Sequence, residues 1–398
     1  MSSSSKPKDA FRVAKPTKKL RAFATDLEAA LQRCIPSKTT RHYEKASVLA
    51  LHWEKDDLNV VPLEKALLDV FKSQYGYDVE SYEIPEQNSQ EELAEELLDW
   101  TREHKGEQAL RIVVYSGHSS GAGPTDPHWY FGGRADSNGN LVGSQIDWLR
   151  LRQCCEYASD DLCYIFDCCS AGSDAFYDGP EILCASGFQQ TAGADPKFSF
   201  TQAFIDTLED LEGAPSSIAN IFATLYRNSA KSNVAASPLH IAKKNAPSIV
   251  LQKLVIKTLS KTMTKTALGD KKGKKPATQK IHKVLVAVHI EDDKPDLAAW
   301  KQWLTQNIPD GVLSADVNIE AVFETSSSLL LVTLPLELWT MLDPTDTAFR
   351  FVSFVNSSGR AVGQSHQEAQ PQFPICSPPG PRSSENVHPS HRHGKSLG

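Results

Sequence analysis

Between residues 46 and 242 the spacing of hydrophobic residues switches repeatedly between two patterns, and this predicts an α/β fold. Short apolar or alternating runs predict strands at 46–53, 77–84, 109–115, 161–166, 181–187 and 237–242. Apolar residues at helical spacing predict helices at 63–76, 89–104, 145–158, 198–211 and 217–230. This alternation implies right-handed crossovers and a mostly parallel sheet with helices on both faces.

One helix also carries a signal at its start. Ser89 stands at the beginning of the periodic run 89–104, and Glu92 follows three residues later. This is the spacing of a capping box, in which the two side chains satisfy unpaired amides of the first helical turn. We therefore predict Ser89 as the N-cap.

A lysine-rich stretch separates this region from a second pattern. Lysines crowd residues 257–283, which predicts a solvated linker; a nuclear-import or phosphate-contacting patch is the alternative. Strands are then predicted at 284–290, 316–324, 327–335 and 349–356, with helices at 296–308 and 336–344. The order βαββαβ predicts a small ferredoxin-like domain at 284–357.

The two ends of the chain are polar. Residues 1–44 are predicted to be a flexible basic segment or a weakly docked helix, and residues 358–398 a disordered tail. The tail holds His388, His391 and His393, for which solvated low-complexity sequence is a better interpretation than a metal site.

Composition limits the classes of function. The chain has 398 residues and a formal charge of −7, from 42 lysines and arginines against 49 aspartates and glutamates. This balance argues against a nucleic-acid partner. No apolar run reaches the ~18 residues that span a bilayer, and no secretory signal is evident, so we expect no membrane partner and a cytoplasmic, possibly nuclear, location.

Cysteines are unevenly distributed, with six of the eight between residues 154 and 184. In a reducing compartment this is not a disulfide framework. The cysteines also lack the paired spacing of a structural zinc site, so we expect no zinc there. We expect no cofactor, apart from the open question of calcium. Most of these thiols are predicted to be buried and inert.

Two turns at the ends of predicted parallel strands carry candidate chemistry, because ligand sites lie at the carboxyl ends of such strands. His118 lies in SGHSSG after 109–115, and Cys169 lies in DCCSAG after 161–166. A thiol becomes a nucleophile when a base takes its proton, and histidine does so near neutral pH. The backbone amides of Gly117 and Cys169 are candidates for an oxyanion hole.

The segments YSGH (115–118), FDCCSAG (166–172) and FSFTQAF (198–204) resemble the caspase-like cysteine peptidases, whose histidine lies roughly 50 residues before the cysteine. The aspartate two residues before the cysteine makes the metacaspase-like and fungal caspase-like branch the closer match. The resemblance covers 46–243. It implies a caspase-like peptidase domain at 45–245 that cleaves protein or peptide substrates, with His118 as general base, Cys169 as nucleophile and Cys168 as a bystander.

The resemblance also implies a pocket for the substrate side chain before the scissile bond. Asp167 matches one wall of that pocket, Ser116 matches a second pocket residue, and Asp57 matches a second pocket acid. Carboxylates there imply cleavage after arginine or lysine, through charge-assisted hydrogen bonds.

The sequence also departs from the family. Ser119 stands where the family has glycine, and it would strain the loop if that position needs a positive φ. Ser170 and Ala171 replace the family's histidine and serine after the cysteine. The stretch between Cys169 and the strand at 181–187 is short, so we predict a chain that works uncut there; dependence on calcium is left open.

Two other functions compete with the peptidase. GHSSG (117–121) also fits the G-x-S-x-G nucleophile elbow of serine hydrolases, with Ser119 as nucleophile. That elbow needs a helix directly after the turn, whereas GAGPTDPH follows here and breaks helices. The other alternative is a catalytically weak or inactive scaffold or signalling protein, with protein partners bound through the C-terminal domain.

Overall fold

The computed structural model describes ten segments of the chain: 18–34, 43–121, 128–168, 179–185, 199–232, 238–254, 283–291, 317–324, 328–343 and 346–355. The predicted lysine-rich linker and the C-terminal tail lie outside these segments, apart from Lys283 at the linker's end.

Strands and helices are numbered along the chain. The strands are β1 (Lys45–Trp53), β2 (Asp78–Ile84), β3 (Ala109–Ser116), β4 (His118–Gly121), β5 (Trp129–Ala135), β6 (Leu141–Asp147), β7 (Asp161–Asp167), β8 (Glu181–Cys184), β9 (Ser216–Ser217), β10 (Leu239–Ile241), β11 (Val250–Leu251), β12 (Lys283–Ile290), β13 (Asn318–Glu324), β14 (Ser328–Pro335) and β15 (Phe349–Val355). The helices are α1 (Leu20–Cys34), α2 (Val61–Val70, continued by a π-turn at Phe71–Tyr75), α3 (Ser89–His104), α4 (Trp148–Leu151), α5 (Gln153–Glu156), α6 (Phe200–Leu211), α7 (Ile218–Ser232) and α8 (Leu336–Trp339).

The central sheet has six strands in the order β10-β8-β7-β3-β1-β2. Neighbouring strands from β8 to β2 are parallel, and only β10 pairs antiparallel in this sheet. This confirms the predicted α/β class with a mostly parallel sheet.

Successive side chains of the buried strands point to opposite faces of the sheet, and each face is covered by helices. On one face Val48, Ala50, Ile112 and Val114 pack with residues of α1, α2, α6 and α7. On the other face Leu49, Leu51, Val113 and Tyr115 pack with residues of α3, α4 and β5. The near-continuous apolar runs of β1 and β3 follow from this two-sided burial.

An antiparallel unit of β4, β5 and β6 follows β3 and was not predicted. The helix predicted at 145–158 is wrong at its start, because β6 extends to Asp147 and only the single turns of α4 and α5 follow. Within the unit, Asp136 accepts hydrogen bonds from the amides of Asn138 and Asn140 and closes the β5–β6 turn. This Asp-x-Asn-Gly turn is a local hairpin signal in the sequence.

The capping box is also wrong. Asn88, with φ of 52°, is the N-cap of α3, and Ser89 is already its first helical residue. The Ser89 hydroxyl donates to the carbonyl of Pro85 at 2.6 Å instead of accepting from the helix. Ser89 therefore fixes the loop before the helix.

Residues 20–34 form the well-packed helix α1, whereas a flexible segment or a weakly docked helix was expected. Phe23, Leu27, Ala30 and Leu31 are buried on one side of it. This side contacts the second sheet, as Phe23 lies 5.5 Å from Phe349 between ring centroids. The helix is stable because tertiary contacts cover its apolar stripe.

The second sheet is antiparallel, with the order β13-β14-β12-β15. The four predicted strands 284–290, 316–324, 327–335 and 349–356 thus pair with one another. The predicted helix 296–308 lies outside the described residues, and the predicted helix 336–344 is reduced to α8. The ferredoxin-like domain therefore stays a prediction. In the described segments, no helix has the length and apolarity needed to cross a bilayer.

Candidate active site

The ends of β3 and β7 lie side by side and bring the two predicted turns together. Ser116 and Asp167 are partners in register at the last position of this strand pair. One residue later, the amide of Gly117 donates a hydrogen bond to the carbonyl of Asp167 at 3.2 Å. A Cβ atom at position 117 would lie 2.6 Å from the buried Tyr115 hydroxyl, so the close approach requires glycine.

His118 is held at this strand end through both its backbone and its ring. The Tyr115 hydroxyl donates to the carbonyl of His118 at 2.8 Å, and the Tyr115 ring stacks on Phe131 at 4.1 Å between centroids. The imidazole Nε2 of His118 lies 2.6 Å from Oδ1 of Asp57. The side chains of His118 and Asp57 are 19% and 40% exposed, so the pair is accessible from solvent.

Asp57 is itself fixed by the neighbouring strand β5. Its second oxygen, Oδ2, accepts from the amide of Ala135 at 3.2 Å, and its own amide donates to the carbonyl of Gly133 at 3.2 Å. A Cβ atom on Gly133 would lie 2.5 Å from the carbonyl of Lys55, so glycine lets this loop lie against β5. Asp57, predicted as a pocket acid, thus contacts His118, the predicted base.

Asp167, the predicted wall of the specificity pocket, is anchored to helix α6. Its Oδ2 accepts from the amide of Thr201 at 3.0 Å and from the Thr201 hydroxyl at 2.6 Å. Thr201 lies in the first turn of α6, whose N-cap Ser199 accepts from the amide of Gln202. Burial raises the pKa of the Asp167 carboxyl, and the two Thr201 donors oppose this by stabilising the anion.

The cysteines differ sharply in surroundings. Cys168, the predicted bystander, is completely buried in the cluster that contains Tyr115 and Phe166. Cys169, the predicted nucleophile, lies outside the described residues. Burial raises the pKa of Cys155 to about 12, and it also raises the pKa values of Cys163 and Cys184, which keeps these thiols protonated. The six described cysteines form no disulfide with one another.

Two predictions about the histidine turn do not match this geometry. The amide of Gly117 is already bonded to Asp167, so it is not available to an oxyanion in this arrangement. Ser119 has no positive φ, so serine causes no backbone strain there. The hydroxyl-bearing Ser119 is buried within β4, which pairs antiparallel with β5, and this is not the strand–turn–helix elbow of a serine hydrolase.

Sequence reasoning missed two of the contacts that build this site. The Asp57–His118 contact joins residues 61 positions apart, and no local pattern marks it. Thr201 belongs to the segment FSFTQAF that carries the family resemblance, but nothing in that segment indicates its hydrogen bonds to Asp167. In the part of the chain that the structure describes, no group of three or more histidine, cysteine, aspartate or glutamate side chains is placed to hold a metal ion.

Comparisons with known proteins give similarity in structure only. No protein-family model matches the sequence, and no curated protein does. Among solved structures, the chain is similar to caspase-1 from Spodoptera frugiperda, with 12% identity and a TM-score of 0.36, over 52% of this chain and 93% of that one. It is also similar to the Drosophila initiator caspase Dronc, with 10% identity and a TM-score of 0.37, over 52% and 82%.

A protein from Geobacter sulfurreducens shows the same level of similarity, with 12% identity and a TM-score of 0.36, over 50% of this chain and 92% of that one. Similarity at this level does not establish a family or an activity. The function of this chain therefore has to be inferred from the residues at the ends of β3 and β7.

Proposed function

We propose that this chain is a cysteine endopeptidase of the caspase-like type, in which Cys169 is the nucleophile and His118 the general base. One observation carries the proposal: His118, with its carboxylate partner Asp57, stands where β3 ends beside β7. Cys169 follows Asp167 by two residues in the chain, and the in-register partner of Asp167 is Ser116, two residues before His118. Because Asp167 and Ser116 are in register on adjacent parallel strands, Cys169 and His118 each follow this position by two residues in the sequence.

The reaction follows from these groups. His118 takes the thiol proton of Cys169, and the thiolate attacks the carbonyl carbon of the scissile peptide bond. The protonated imidazole then gives its proton to the leaving amine as the carbon–nitrogen bond breaks, which leaves a thioester on Cys169. Water hydrolyses the thioester, and the thiol and the neutral imidazole are restored.

The proposed preference for arginine or lysine before the scissile bond depends on Asp167. Thr201 engages one carboxylate oxygen, Oδ2, and a carboxylate can accept further hydrogen bonds from a guanidinium or ammonium group. Ser116 is in register with Asp167 on the neighbouring strand, so the two side chains point to the same face of the sheet. A basic side chain that contacts one of them would lie close to the other.

The test is cleavage of a positional peptide library by the wild-type chain and by Cys169→Ala. We expect cleavage that is lost in Cys169→Ala and retained in the matched control Cys154→Ala, which removes a partly exposed thiol on α5. Asp167→Asn should reduce cleavage after arginine and lysine more than cleavage after neutral residues. An unchanged preference in Asp167→Asn would overturn the pocket assignment.

The same experiment separates the alternatives. Equal profiles for the wild type and Cys169→Ala would reject Cys169 as the nucleophile. No cleavage by either protein between pH 5 and 9, with or without calcium, would favour an inactive scaffold. Labelling of Ser119 by a fluorophosphonate would favour the serine hydrolase.

A further inference from the structure

We infer that Asp57 is a positioning residue for His118, which holds the proton of the neutral imidazole on Nε2 and leaves Nδ1 as the base. This inference rests on the proposed function for its catalytic meaning, whereas the Asp57–His118 contact exists independently of it. It replaces the substrate-pocket role that the sequence suggested for Asp57.

The geometry of the pair indicates which nitrogen of His118 carries the hydrogen. A distance of 2.6 Å between Nε2 and Oδ1 is a short, charge-assisted hydrogen bond. A carboxylate only accepts, so the hydrogen must lie on Nε2. In the neutral ring Nδ1 then carries the lone pair, and it is the atom that can take a proton from a thiol.

Asp57 is held in a fixed position beside His118. Both of its carboxylate oxygens are engaged, Oδ1 by the imidazole and Oδ2 by the amide of Ala135. The loop before α2 is fixed separately by Asp56, whose oxygens accept from the amides of Leu58 at 3.0 Å and Val60 at 2.8 Å. The neighbouring aspartates thus have different roles: Asp56 shapes the loop, and Asp57 contacts the histidine.

The Asp57 carboxylate also places a negative charge beside the His118 ring. When His118 takes the thiol proton, the imidazolium lies beside the Asp57 carboxylate, which stabilises the positive ring. The pair is partly exposed, so solvent screens the attraction between the carboxylate and the charged ring, and this attraction should be moderate. A substrate-pocket acid would instead act on substrate binding.

The experiment compares Asp57→Ala and Asp57→Asn with Asp56→Asn as the matched control in the full chain. The first measurement is the nitrogen NMR spectrum of ¹⁵N-histidine-labelled protein at pH 8.5, with His118 assigned by its loss in His118→Gln. We expect the Nε2–H tautomer of His118 in the wild type and in Asp56→Asn, and a mixture of tautomers in Asp57→Ala. An Nδ1–H tautomer in the wild type, or an unchanged spectrum in Asp57→Ala, would overturn the inference.

The second measurement is peptide cleavage. We expect kcat to fall by about 10- to 100-fold in Asp57→Ala, by analogy with the loss of carboxylates that orient metal-bound histidines, with KM nearly unchanged. In Asp57→Asn kcat should fall less, because the amide oxygen of asparagine still accepts from Nε2–H although the negative charge is absent. A rise of KM for arginine substrates at constant kcat would instead assign Asp57 to the pocket and reject the positioning role.

The two measurements keep this inference distinct from the proposed function. If no Cys169-dependent cleavage exists, the peptidase proposal fails, and the NMR comparison alone decides whether Asp57 sets the His118 tautomer. If Asp56→Asn has the same effects as Asp57→Ala, the effect of Asp57 is on loop structure, and the inference is rejected.

Discussion

Two histidine–carboxylate pairs in this molecule have the same chemistry and opposite surroundings. His118 and Asp57 are 19% and 40% exposed, whereas His240 and Glu181 are 0% and 1% exposed. The nitrogen–oxygen distances are 2.6 and 2.7 Å. The difference between the pairs therefore lies in their access to solvent and in what else binds them.

The buried pair is saturated with hydrogen bonds. Glu181 accepts from His240, from the Ser248 hydroxyl at 2.6 Å and from the amide of Ile249 at 2.6 Å. On the other side of the ring, Nδ1 of His240 lies 3.0 Å from the hydroxyl of Thr340, directly after α8. This pair joins the edge of the central sheet to the region of the second sheet.

The comparison shows that a histidine–carboxylate pair is not by itself evidence of catalysis. A ring whose nitrogens are both engaged and shielded from water has no route for a substrate proton, whereas the His118 ring is partly open at the ends of parallel strands.

Replacement of His118 and of His240 by alanine should separate the effect on activity from the effect on stability. His118→Ala should lower kcat/KM by about 100- to 10,000-fold, because general acid–base catalysis contributes that range. His240→Ala should leave kcat/KM of the folded protein close to that of the wild type. Steady-state cleavage of an arginine peptide, corrected for the folded fraction, measures both; equal losses in the two variants would contradict the contrast.

For His240 the larger effect should be on stability and not on activity. His240→Ala leaves the Glu181 carboxylate buried with one donor fewer, so we expect a loss of about 3–5 kcal/mol in the free energy of unfolding. Urea unfolding followed by circular dichroism measures it. His240→Gln, which keeps a donor, is the control and should lose less; a loss below 1 kcal/mol in His240→Ala would show that the buried pair is not a structural tie.

A third pair, His52 and Glu64, is buried to 9% and 4% exposure and offers a test by pH. The hydrogen bond with Glu64 raises the pKa of His52, although burial opposes the shift. The stabilisation from His52 should therefore be complete below about pH 6.5, its unfolded value, and should disappear as the pH rises through the folded value.

Urea unfolding of the wild type and His52→Gln between pH 6 and 9 gives this contribution as a difference. We expect the difference in unfolding free energy to shrink as the pH rises. A difference that is constant across this range, or that grows with pH, would show that the charge on His52 does not stabilise the fold.

The smallest expected effect is on the stability of the exposed pair. Asp57→Ala should change the free energy of unfolding by about 0–1 kcal/mol, because an exposed ion pair is screened by water and salt. Thermal and urea unfolding measure this change, and the same variant provides the activity data. A loss of several kcal/mol would place Asp57 among the structural residues together with Glu181.

Local patterns in the sequence determined most of the regular structure. The buried strands β1, β3 and β7 and the helices α3, α6 and α7 follow from apolar periodicity, because burial on one or two faces imposes that spacing. The sequence also determined that His118 follows a parallel strand, whereas the position of this strand beside β7 is given by the tertiary structure.

Tertiary structure alone decided the contacts between distant segments. Helix α1 is stable because the second sheet covers its apolar side, and residues 20–34 do not show this by themselves. Asp57 reaches His118 because the loop after β1 lies against Gly133 of β5, which no spacing within the loop encodes. Periodicity reports which face of an element is buried, but the partner of a polar side chain depends on how the chain packs around it, and for this reason the sequence alone does not indicate the contact of Asp57 with His118.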